Sequence, residues 1–395
     1  MSTDSSAQNS ESQKVLSQTE AAEVITTESS EFDDIRHYRD DEVHDAIQSI
    51  LDNEELVTGI YKRIFGFLPD FLSKLGKPFI KFVLKMRFSR VRTIAQVQEY
   101  VAKFMKGIIR DTTDGFTCRG FEKLDPKKGY LFISNHRDIS LDPAFIDMAC
   151  YFNNLDTVKI AIGDNLLRMQ VATDLMRLNK SFIVKRSVQG RDKLKALAHL
   201  SEYIGRSIEE NHNVWIAQRE GRAKDGNDKT EEAILKMFYM YGKKKKLTFA
   251  EYVKTLNIVP VSITYEFDPG DAAKAKELYE TEKNGSYVKS QFEDIDSIVG
   301  GINGYKGRVN IVAGDPLTGD FETPEKLAET IDNFIYANYA MFPSCLLSAG
   351  VTEGVSEEER KKFEERISGI DPQLRDHVKK MYAAPYFNQQ NAKKS

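Results

Sequence analysis

From about residue 116 onward, short apolar runs alternate with longer stretches in which apolar residues recur every three or four positions. Short apolar runs are typical of buried strands, and the longer spacing is typical of helices. The pattern predicts strands at residues 130–134, 158–162, 181–185, 213–217, 258–265 and 308–312. The clearest helices between and after them are predicted at residues 191–210, 230–241, 272–282 and 324–339. This alternation predicts an α/β domain with a largely parallel sheet flanked by helices.

The rest of the chain is predicted to surround this domain, which we place at residues 116–342. Residues 1–31 contain no aromatic side chain and are rich in Ser, Thr, Gln and Glu. Such a segment cannot bury enough apolar surface to fold, so a disordered tail is predicted there. Residues 32–115 are predicted to be an N-terminal helical region. Residues 343–395 are predicted to be a polar, partly helical C-terminal tail, with one further helix ending near residue 382 and a loose end from residue 388.

The segment from Ile60 to Arg92 carries nine basic side chains and one acidic side chain, Asp70, interleaved with aromatic and aliphatic residues. Charges recur too often for the roughly 20 apolar residues that a membrane-spanning helix needs. Pro69 and Pro78 are expected to break the segment into two or three pieces. Its composition is typical of helices that lie on an anionic membrane surface. It is also compatible with a helical pair that packs on the α/β domain and keeps its lysines in water. We expect a peripheral membrane protein on the cytoplasmic face.

Composition and charge exclude several other classes of protein. The net charge of −4 is small and does not favour a nucleic-acid partner. Three cysteines, Cys118, Cys150 and Cys345, lack the spacing of metal ligands. An odd number of cysteines in a long chain favours a reducing compartment, and no metal site is expected.

The candidate chemistry begins in the stretch YLFISNHRDISLDP, where a strand at residues 130–134 leads directly into His136. An imidazole ordinarily has a pKa near 6.5 and can accept a proton from a hydroxyl near neutral pH. A carboxylate that hydrogen bonds its second nitrogen fixes the tautomer and stabilises the imidazolium. Asp138 and Asp142 both follow closely enough to play that part. The stretch therefore predicts a general base, although a histidine beside an aspartate by itself also occurs as a simple loop residue.

Three further stretches have the same design, an apolar run followed by polar or special residues. KSFIVKR ends in Lys185 and Arg186, and WIAQREGRAKDG carries a loop with Glu220, Gly221, Arg222 and Lys224, a composition suited to an anion such as phosphate. In NIVPVSI, Pro260 lies inside an apolar strand, where proline is unfavourable, so a bulge or a strand start is predicted.

These four stretches, in this order, resemble the glycerolipid acyltransferase family, the glycerol-3-phosphate and 1-acylglycerol-3-phosphate acyltransferases. The resemblance covers roughly residues 116–315. It implies that His136 is the general base and that an aspartate orients it. It also implies that Glu220, Gly221 and Arg222 bind the phosphate of the acceptor with help from Lys185 or Arg186, and that Pro260 shapes the acyl-donor side of the pocket.

Two departures from the family pattern leave alternatives open. The family places four residues between the histidine and the aspartate, whereas five separate His136 from Asp142 and one separates it from Asp138. We favour Asp142, because Leu-Asp-Pro then reads as the family block with one residue inserted. In the third block Arg222 follows Gly221 directly, without the intervening residue of the family, so the phosphate contact can also fall on Lys224.

The resemblance implies transfer of a fatty acyl group from acyl-CoA or acyl-carrier protein to the free hydroxyl of 1-acylglycerol-3-phosphate in phospholipid synthesis. No metal or other cofactor is implied. The expected partners are a lysophospholipid or glycerol phosphate acceptor, an acyl thioester donor and an anionic membrane surface. The alternatives are an acyltransferase for glycerol-3-phosphate or another lysolipid, and a non-catalytic membrane-surface binding protein with a degraded site.

Overall fold

The centre of the molecule is one seven-stranded sheet. The computed structural model describes residues 26–27, 29–65, 73–167, 169–290 and 292–393. The strands are β1 (Gly115–Arg119), β2 (Leu131–Ser134), β3 (Lys159–Gly163), β4 (Ser181–Val184), β5 (Val214–Ala217), β6 (Ile258–Tyr265) and β7 (Arg308–Ala313). Their order across the sheet is β1-β7-β6-β2-β5-β3-β4. The five strands from β6 to β4 run parallel, β7 is antiparallel to β6, and β1 is parallel to β7. The predicted α/β fold with a largely parallel sheet is confirmed.

Helices cover both faces of the sheet. In the described parts of the chain they are α1 (Val43–Asp52), α2 (Glu54–Phe65), α3 (Ser73–Phe88), α4 (Ile94–Thr112), α5 (Leu141–Phe152), α6 (Gln170–Leu178), α7 (Gly190–Glu209), α8 (Glu232–Lys244), α9 (Phe249–Thr255), α10 (Asp271–Asn284), α11 (Glu293–Asn303), α12 (Pro324–Asn338), α13 (Pro343–Ser348), α14 (Glu357–Ser368) and α15 (Arg375–Ala392). Successive side chains along β2 point to opposite faces of the sheet and pack in two different apolar clusters. Phe132 packs with α4 and α5, whereas Leu131 and Ile133 pack with α7, α8, α9 and α12.

The sequence pattern located β2 to β7 but missed β1. That strand is five residues long, lies at the edge of the sheet, and has alternating exposed and half-buried side chains rather than an apolar run. Edge strands lack the continuous apolar signature of central parallel strands, which explains the omission.

The N-terminal region is helical, as predicted. Val43, Ile47 and Ile50 of α1 form a separate apolar cluster with Val91 and Leu178. Residues 1–25, most of the tail that was predicted to be disordered, lie outside the described residues. Thr27, within the same predicted tail, donates a 2.8 Å hydrogen bond from its backbone N–H to the carboxylate of Glu210.

Pro69 also lies outside the described residues. The expectation for Pro78 was wrong, because α3 runs through this proline without ending. None of the described helices combines the length and apolar composition needed to cross a bilayer.

The C-terminal segment differs from its prediction. Residues 343–393 contain three helices rather than one, and α15 continues past residue 388 to Ala392. Their apolar side chains form a buried cluster with β6 and α10; its members are Phe267, Ala275, Phe363, Ile367, Ile370, Val378, Met381 and Tyr382. These apolar positions are sparse in a highly charged stretch, so composition alone suggested a tail.

Candidate functional site

The chain leaves β2 through a buried asparagine that fixes the direction of the next loop. The side chain of Asn135 donates to the carbonyl of Ile263 at 2.9 Å and accepts from the N–H of the same residue at 2.8 Å. This amide therefore continues the pairing between β2 and β6 beyond the last residue of β2. His136 follows at once, which places its ring at the carboxyl end of the parallel strands, where sites of such sheets lie.

Asp142 holds the ring of His136. Its Oδ2 lies 2.8 Å from Nδ1 of the ring and also accepts the backbone N–H groups of Arg137 at 2.6 Å and Asp138 at 2.9 Å. Its Oδ1 accepts the hydroxyl of Tyr265 at 2.7 Å. Because the carboxylate already serves as an acceptor for these donors, the proton between the ring and Asp142 belongs to Nδ1. Nε2 is left as the nitrogen that can accept a proton.

Asp138 does not bond the His136 ring and instead accepts backbone N–H groups at the start of α5. The two candidate carboxylates therefore have different roles. Oδ1 of Asp138 accepts the N–H groups of Ser140 at 3.0 Å and Leu141 at 2.9 Å, and thereby caps the start of α5. Burial and the nearby Asp142 carboxylate raise the pKa of Asp138. The carboxylate bonded to the His136 ring is the one in the Leu-Asp-Pro sequence, and the extra residue relative to the family spacing is accommodated in the loop before α5.

His136 and the cationic loop after β5 line one cavity of about 310 Å³. Its charged lining, among the described residues, comprises seven basic and three acidic side chains: Lys185, Arg186, Lys193, Arg219, Arg222, Lys224, Lys289, Glu220, Glu231 and Asp294. Its apolar lining comes from β3, β4, β5, α7 and α8 and includes Ile162, Val184, Leu197, Trp215, Ile216, Ile234 and Met237. The cavity thus combines groups that can bind an anion with a surface that can hold an apolar chain.

The cations of the lining differ in how strongly they are already engaged. Lys185 pairs with Asp34 at 2.5 Å, and Lys224 pairs with Glu277. Arg186 lies 3.7 Å from Glu220. Arg222 makes only a long 3.5 Å contact with the Ser297 hydroxyl, and no carboxylate of the described chain lies within 4.0 Å of its guanidinium. Among the described cations of the lining, Arg222 and Lys193 are those without a carboxylate within 4.0 Å, and Arg222 is the one that lies in the loop after β5.

The turn at Gly221 explains the shape of this loop. Gly221 has a φ of +76°, a backbone conformation that a residue with a Cβ rarely adopts. It directs Arg222 into the cavity one residue earlier than the family spacing leads one to expect. Glu220 also lines the cavity, where its carboxylate lies near the guanidinium of Arg186. A carboxylate repels a phosphate, so Glu220 is not itself a phosphate ligand.

A buried ion pair ties the histidine loop to the cationic loop. The guanidinium of Arg137 lies 2.5 Å from Asp228 and donates to the carbonyls of Ala223 and Gly226 at 3.4 and 3.3 Å. The N–H of Ala223 in turn donates to the carbonyl of His136 at 3.1 Å. Burial raises the pKa of Asp228 to about 6, although Arg137 acts in the opposite direction. Sequence reasoning missed this pair, whose only signal was a charged residue directly after the histidine.

Pro260 lies away from the cavity. It is buried in the third position of β6, opposite Ile133 of β2, and its ring lies near Gly314 and Phe334. Pairing between β6 and β7 begins only at Val261, so the missing N–H of Pro260 falls at the start of that ladder. The predicted bulge or strand start was wrong, because β6 begins at Ile258 and pairs with β2 in unbroken register through Pro260. The expected place of Pro260 in the pocket was also wrong, since Pro260 does not line the cavity that contains His136.

Sequence reasoning also missed two residues beside the histidine. Tyr265 is buried at the end of β6, and burial together with Asp142 raises the pKa of its hydroxyl well above the ordinary value, so it remains a donor. Trp215 packs edge-on against the His136 ring with ring centroids 5.8 Å apart, and its Nε1–H donates to Ser134 at 3.0 Å. Both read in the sequence as ordinary core aromatics.

Comparisons with known proteins agree with this geometry. Residues 115–264 match the family model described as Acyltransferase, and they contain all four stretches singled out above. Among solved structures, the chain is similar to the 1-acyl-sn-glycerophosphate acyltransferase PlsC from Thermotoga maritima, with 14% sequence identity over 74% of this chain and 94% of that chain and a TM-score of 0.37. No curated protein matches the chain. The part of the chain that matches the Acyltransferase model therefore contains both His136 and the cationic loop that line one cavity.

Proposed function

We propose that this protein transfers a fatty acyl group from a thioester donor to the free hydroxyl of 1-acylglycerol-3-phosphate. The observation that carries the proposal is that His136 and Arg222 line the same cavity, which also has an apolar surface formed by residues of β3, β4, β5, α7 and α8. A general base, an anion-binding group and an apolar surface are what a lysophospholipid acceptor with a free hydroxyl, a phosphate and an acyl chain requires.

The chemistry follows from the state of the histidine ring. Nδ1–H is held by Asp142, so the lone pair of Nε2 takes the proton of the acceptor hydroxyl as its oxygen attacks the thioester carbonyl. The carbon–sulfur bond then breaks, and the proton on the imidazolium passes to the leaving thiolate. An ester and a free thiol result, and the ring returns to its starting state. No covalent bond to the enzyme is needed.

Binding of the acceptor's phosphate positions the acceptor hydroxyl beside His136. Arg222 binds the phosphate with charge-assisted hydrogen bonds, and Lys185 and Arg186 add positive charge to the lining of the same cavity. Holding the phosphate presents the hydroxyl to His136, and fixing reacting groups in this way lowers the barrier by several kcal/mol. The paired aspartate removes the main support for a binding protein with a degraded site, because the altered spacing leaves the His136–Asp142 contact intact.

The apolar lining favours a lysophospholipid over glycerol-3-phosphate as acceptor. Glycerol-3-phosphate has no acyl chain that could be buried against this lining. Acyl-CoA and acyl-carrier protein remain the two donors under the proposal. Assays that supply each donor with each acceptor separate these possibilities by the ester product formed.

We also propose that the protein binds the cytoplasmic face of membranes through α3. The inner side of α3 packs on the N-terminal cluster through Leu84 and Phe88, with Ile80 buried as well. Phe79, Phe82 and Met86 form an exposed stripe on the other side. Exposed aromatic residues on a basic helix are typical of helices that lie in the interface of an anionic membrane.

The base assignment predicts the effect of removing the imidazole. His136→Ala should lower kcat for acyl transfer by about 10²- to 10⁴-fold, because the acceptor hydroxyl loses its proton acceptor. Thiol release from acyl-CoA in the presence of lysophosphatidate measures the rate, with circular dichroism to show that the fold is kept. His44→Ala, which removes a histidine outside the cavity, should leave the rate unchanged. A His136→Ala protein with wild-type kcat would refute the proposed base.

The phosphate assignment predicts a selective change in acceptor affinity. Arg222→Ala should raise KM for lysophosphatidate by about 10- to 100-fold, which corresponds to the loss of a charge-assisted hydrogen bond. KM for monoacylglycerol, which lacks the phosphate, should not change. Lys224→Ala serves as the matched control, since Lys224 is already paired with Glu277. A larger KM effect for Lys224→Ala than for Arg222→Ala would transfer the phosphate contact to Lys224.

The link between the two loops predicts a large loss of stability. Arg137→Met should lower the free energy of unfolding by about 3–5 kcal/mol, because it leaves the buried Asp228 carboxylate without its partner. The double variant Arg137→Met/Asp228→Asn should recover much of this loss, since no buried charge is stranded. Urea unfolding of the wild type, Arg137→Met, Asp228→Asn and the double variant measures both quantities. Strictly additive single effects would show that the two side chains are not coupled.

The membrane proposal predicts that the α3 stripe is required for binding. Replacing Phe79 and Phe82 by Ser should lower the fraction of protein bound to vesicles that contain phosphatidate, because the exposed aromatic surface of α3 is lost. Flotation of the full chain with vesicles measures the bound fraction. Phe387→Ser, a change of an exposed aromatic residue on α15, is the matched control and should float like the wild type. Full binding by the α3 variant would place the membrane contact elsewhere.

A further inference from the structure

Helix α11 carries large apolar side chains on its outer side. Val288, just before the helix, and Phe292, Ile295 and Val299 along it are between 43% and 86% exposed. Phe292, Ile295 and Val299 are spaced three and four residues apart and therefore lie on one side of the helix. A surface helix normally turns its apolar side toward the core and its polar side toward water. Here a row of large apolar side chains faces outward.

The inner side of α11 combines Ile302, which packs against the core of the sheet, with polar and small residues that contact the functional site. The carboxylate of Asp294 accepts a 3.3 Å hydrogen bond from Asn165, and the hydroxyl of Ser297 contacts Arg222. Gly301 lies directly against the carboxylate of Asp138, where an added Cβ would come within 2.2 Å of an oxygen. Lys289 and Asp294 also belong to the lining of the cavity. The helix is thus one wall of the site, and its outer side continues the rim of the cavity.

The surroundings of the exposed row favour a lipid surface over a protein partner. Lys289 is exposed beside Val288, and Lys193 and Arg186, also exposed, line the same cavity. Apolar side chains next to cations match the arrangement of a bilayer, in which acyl chains lie beneath anionic head groups. The first turn of α11 also carries three acids. Glu293 is engaged by the hydroxyl of Tyr287 at 2.7 Å and Asp294 is paired with Lys289 at 2.9 Å, whereas Asp296 is exposed.

We propose that α11 is a second membrane contact, which inserts Phe292, Ile295 and Val299 into the lipid surface and sets the mouth of the cavity against it. The choice of a lipid as the molecule that enters there rests on the proposed function. Insertion of the helix is a physical property that can be tested without any activity. The contact differs from that of α3, because α3 belongs to the N-terminal cluster whereas α11 forms a wall of the site itself.

A tryptophan placed in the exposed row reports insertion directly. The sequence contains one native tryptophan, Trp215, which is buried, so a second one at the surface is spectroscopically distinct. In the full chain, Phe292→Trp should shift its emission to the blue when vesicles of phosphatidylcholine and phosphatidate are added, and lipids with brominated chains should quench it. Phe387→Trp, on α15, should do neither.

Three results would overturn the inference. One is emission from Phe292→Trp that stays water-like while flotation shows the protein on the vesicles, since α3 alone would then make the contact. Another is equal quenching of Phe292→Trp and Phe387→Trp. The third is a blue shift without vesicles that grows with protein concentration, which would assign the exposed row to contact between two copies of the chain.

An activity measurement connects insertion to the site. Phe292→Ser/Val299→Ser should lower transfer to lysophosphatidate presented in vesicles by about tenfold, while transfer to a short-chain, water-soluble lysophosphatidate stays within about twofold of the wild type. Equal loss with both acceptors would refute a role in lipid access. Absence of transfer by the wild-type protein would instead refute the proposed function, and the fluorescence result would still decide whether α11 inserts.

Discussion

The carboxylate of Asp142 is the constraint on which the site depends. It receives hydrogen bonds from the ring of His136, from two consecutive backbone N–H groups and from the hydroxyl of Tyr265. The side chain of Asp142 is fully buried, so each of these donors substitutes for water that the carboxylate has lost. The same contacts fix the path of the loop, the orientation of the imidazole and its tautomer. A single side chain thus couples the start of α5 to the end of β6.

The parallel arrangement of the strands then brings separate parts of the sequence together. The carboxyl ends of β2, β3, β4 and β5 lie at one edge of the sheet, so the residues that follow them share one cavity. The histidine comes from the loop after β2, and the basic side chains come from the loops after β4 and β5. The apolar part of the cavity lies between these strands and helices α7 and α8. Arg137 and Asp228 keep the first and third of these loops in contact.

Sequence reasoning was successful where a local pattern determines the outcome. Six strands, the position of His136 after a strand, and the grouping of Arg222 with it all follow from apolar runs and from the geometry of parallel sheets. The choice between Asp138 and Asp142 did not follow, because both lie within reach along the chain and only the fold decides which one faces the ring. The location of Pro260 away from the cavity also depends on packing between β6 and β7, which the sequence does not reveal.

The features that were missed share a physical cause. The Arg137–Asp228 pair joins residues 91 positions apart, and the helices after residue 343 are held by a few apolar side chains in a charged stretch. In α11 the apolar and polar sides are present, but which side faces outward depends on what lies beneath the helix. Such properties arise from contacts distant in sequence, and the same contacts decide which apolar side chains of α3 and α11 stay exposed.

The central claim is that Asp142 holds the proton of His136 on Nδ1 and leaves Nε2 free to act as a base. Nitrogen-15 NMR of the protein labelled in its histidine rings tests this directly, with the signals of His136 identified by their loss in His136→Ala. The account predicts that the neutral ring carries its proton on Nδ1, with the shift of Nε2 typical of an unprotonated nitrogen. A neutral ring with its proton on Nε2 would contradict it.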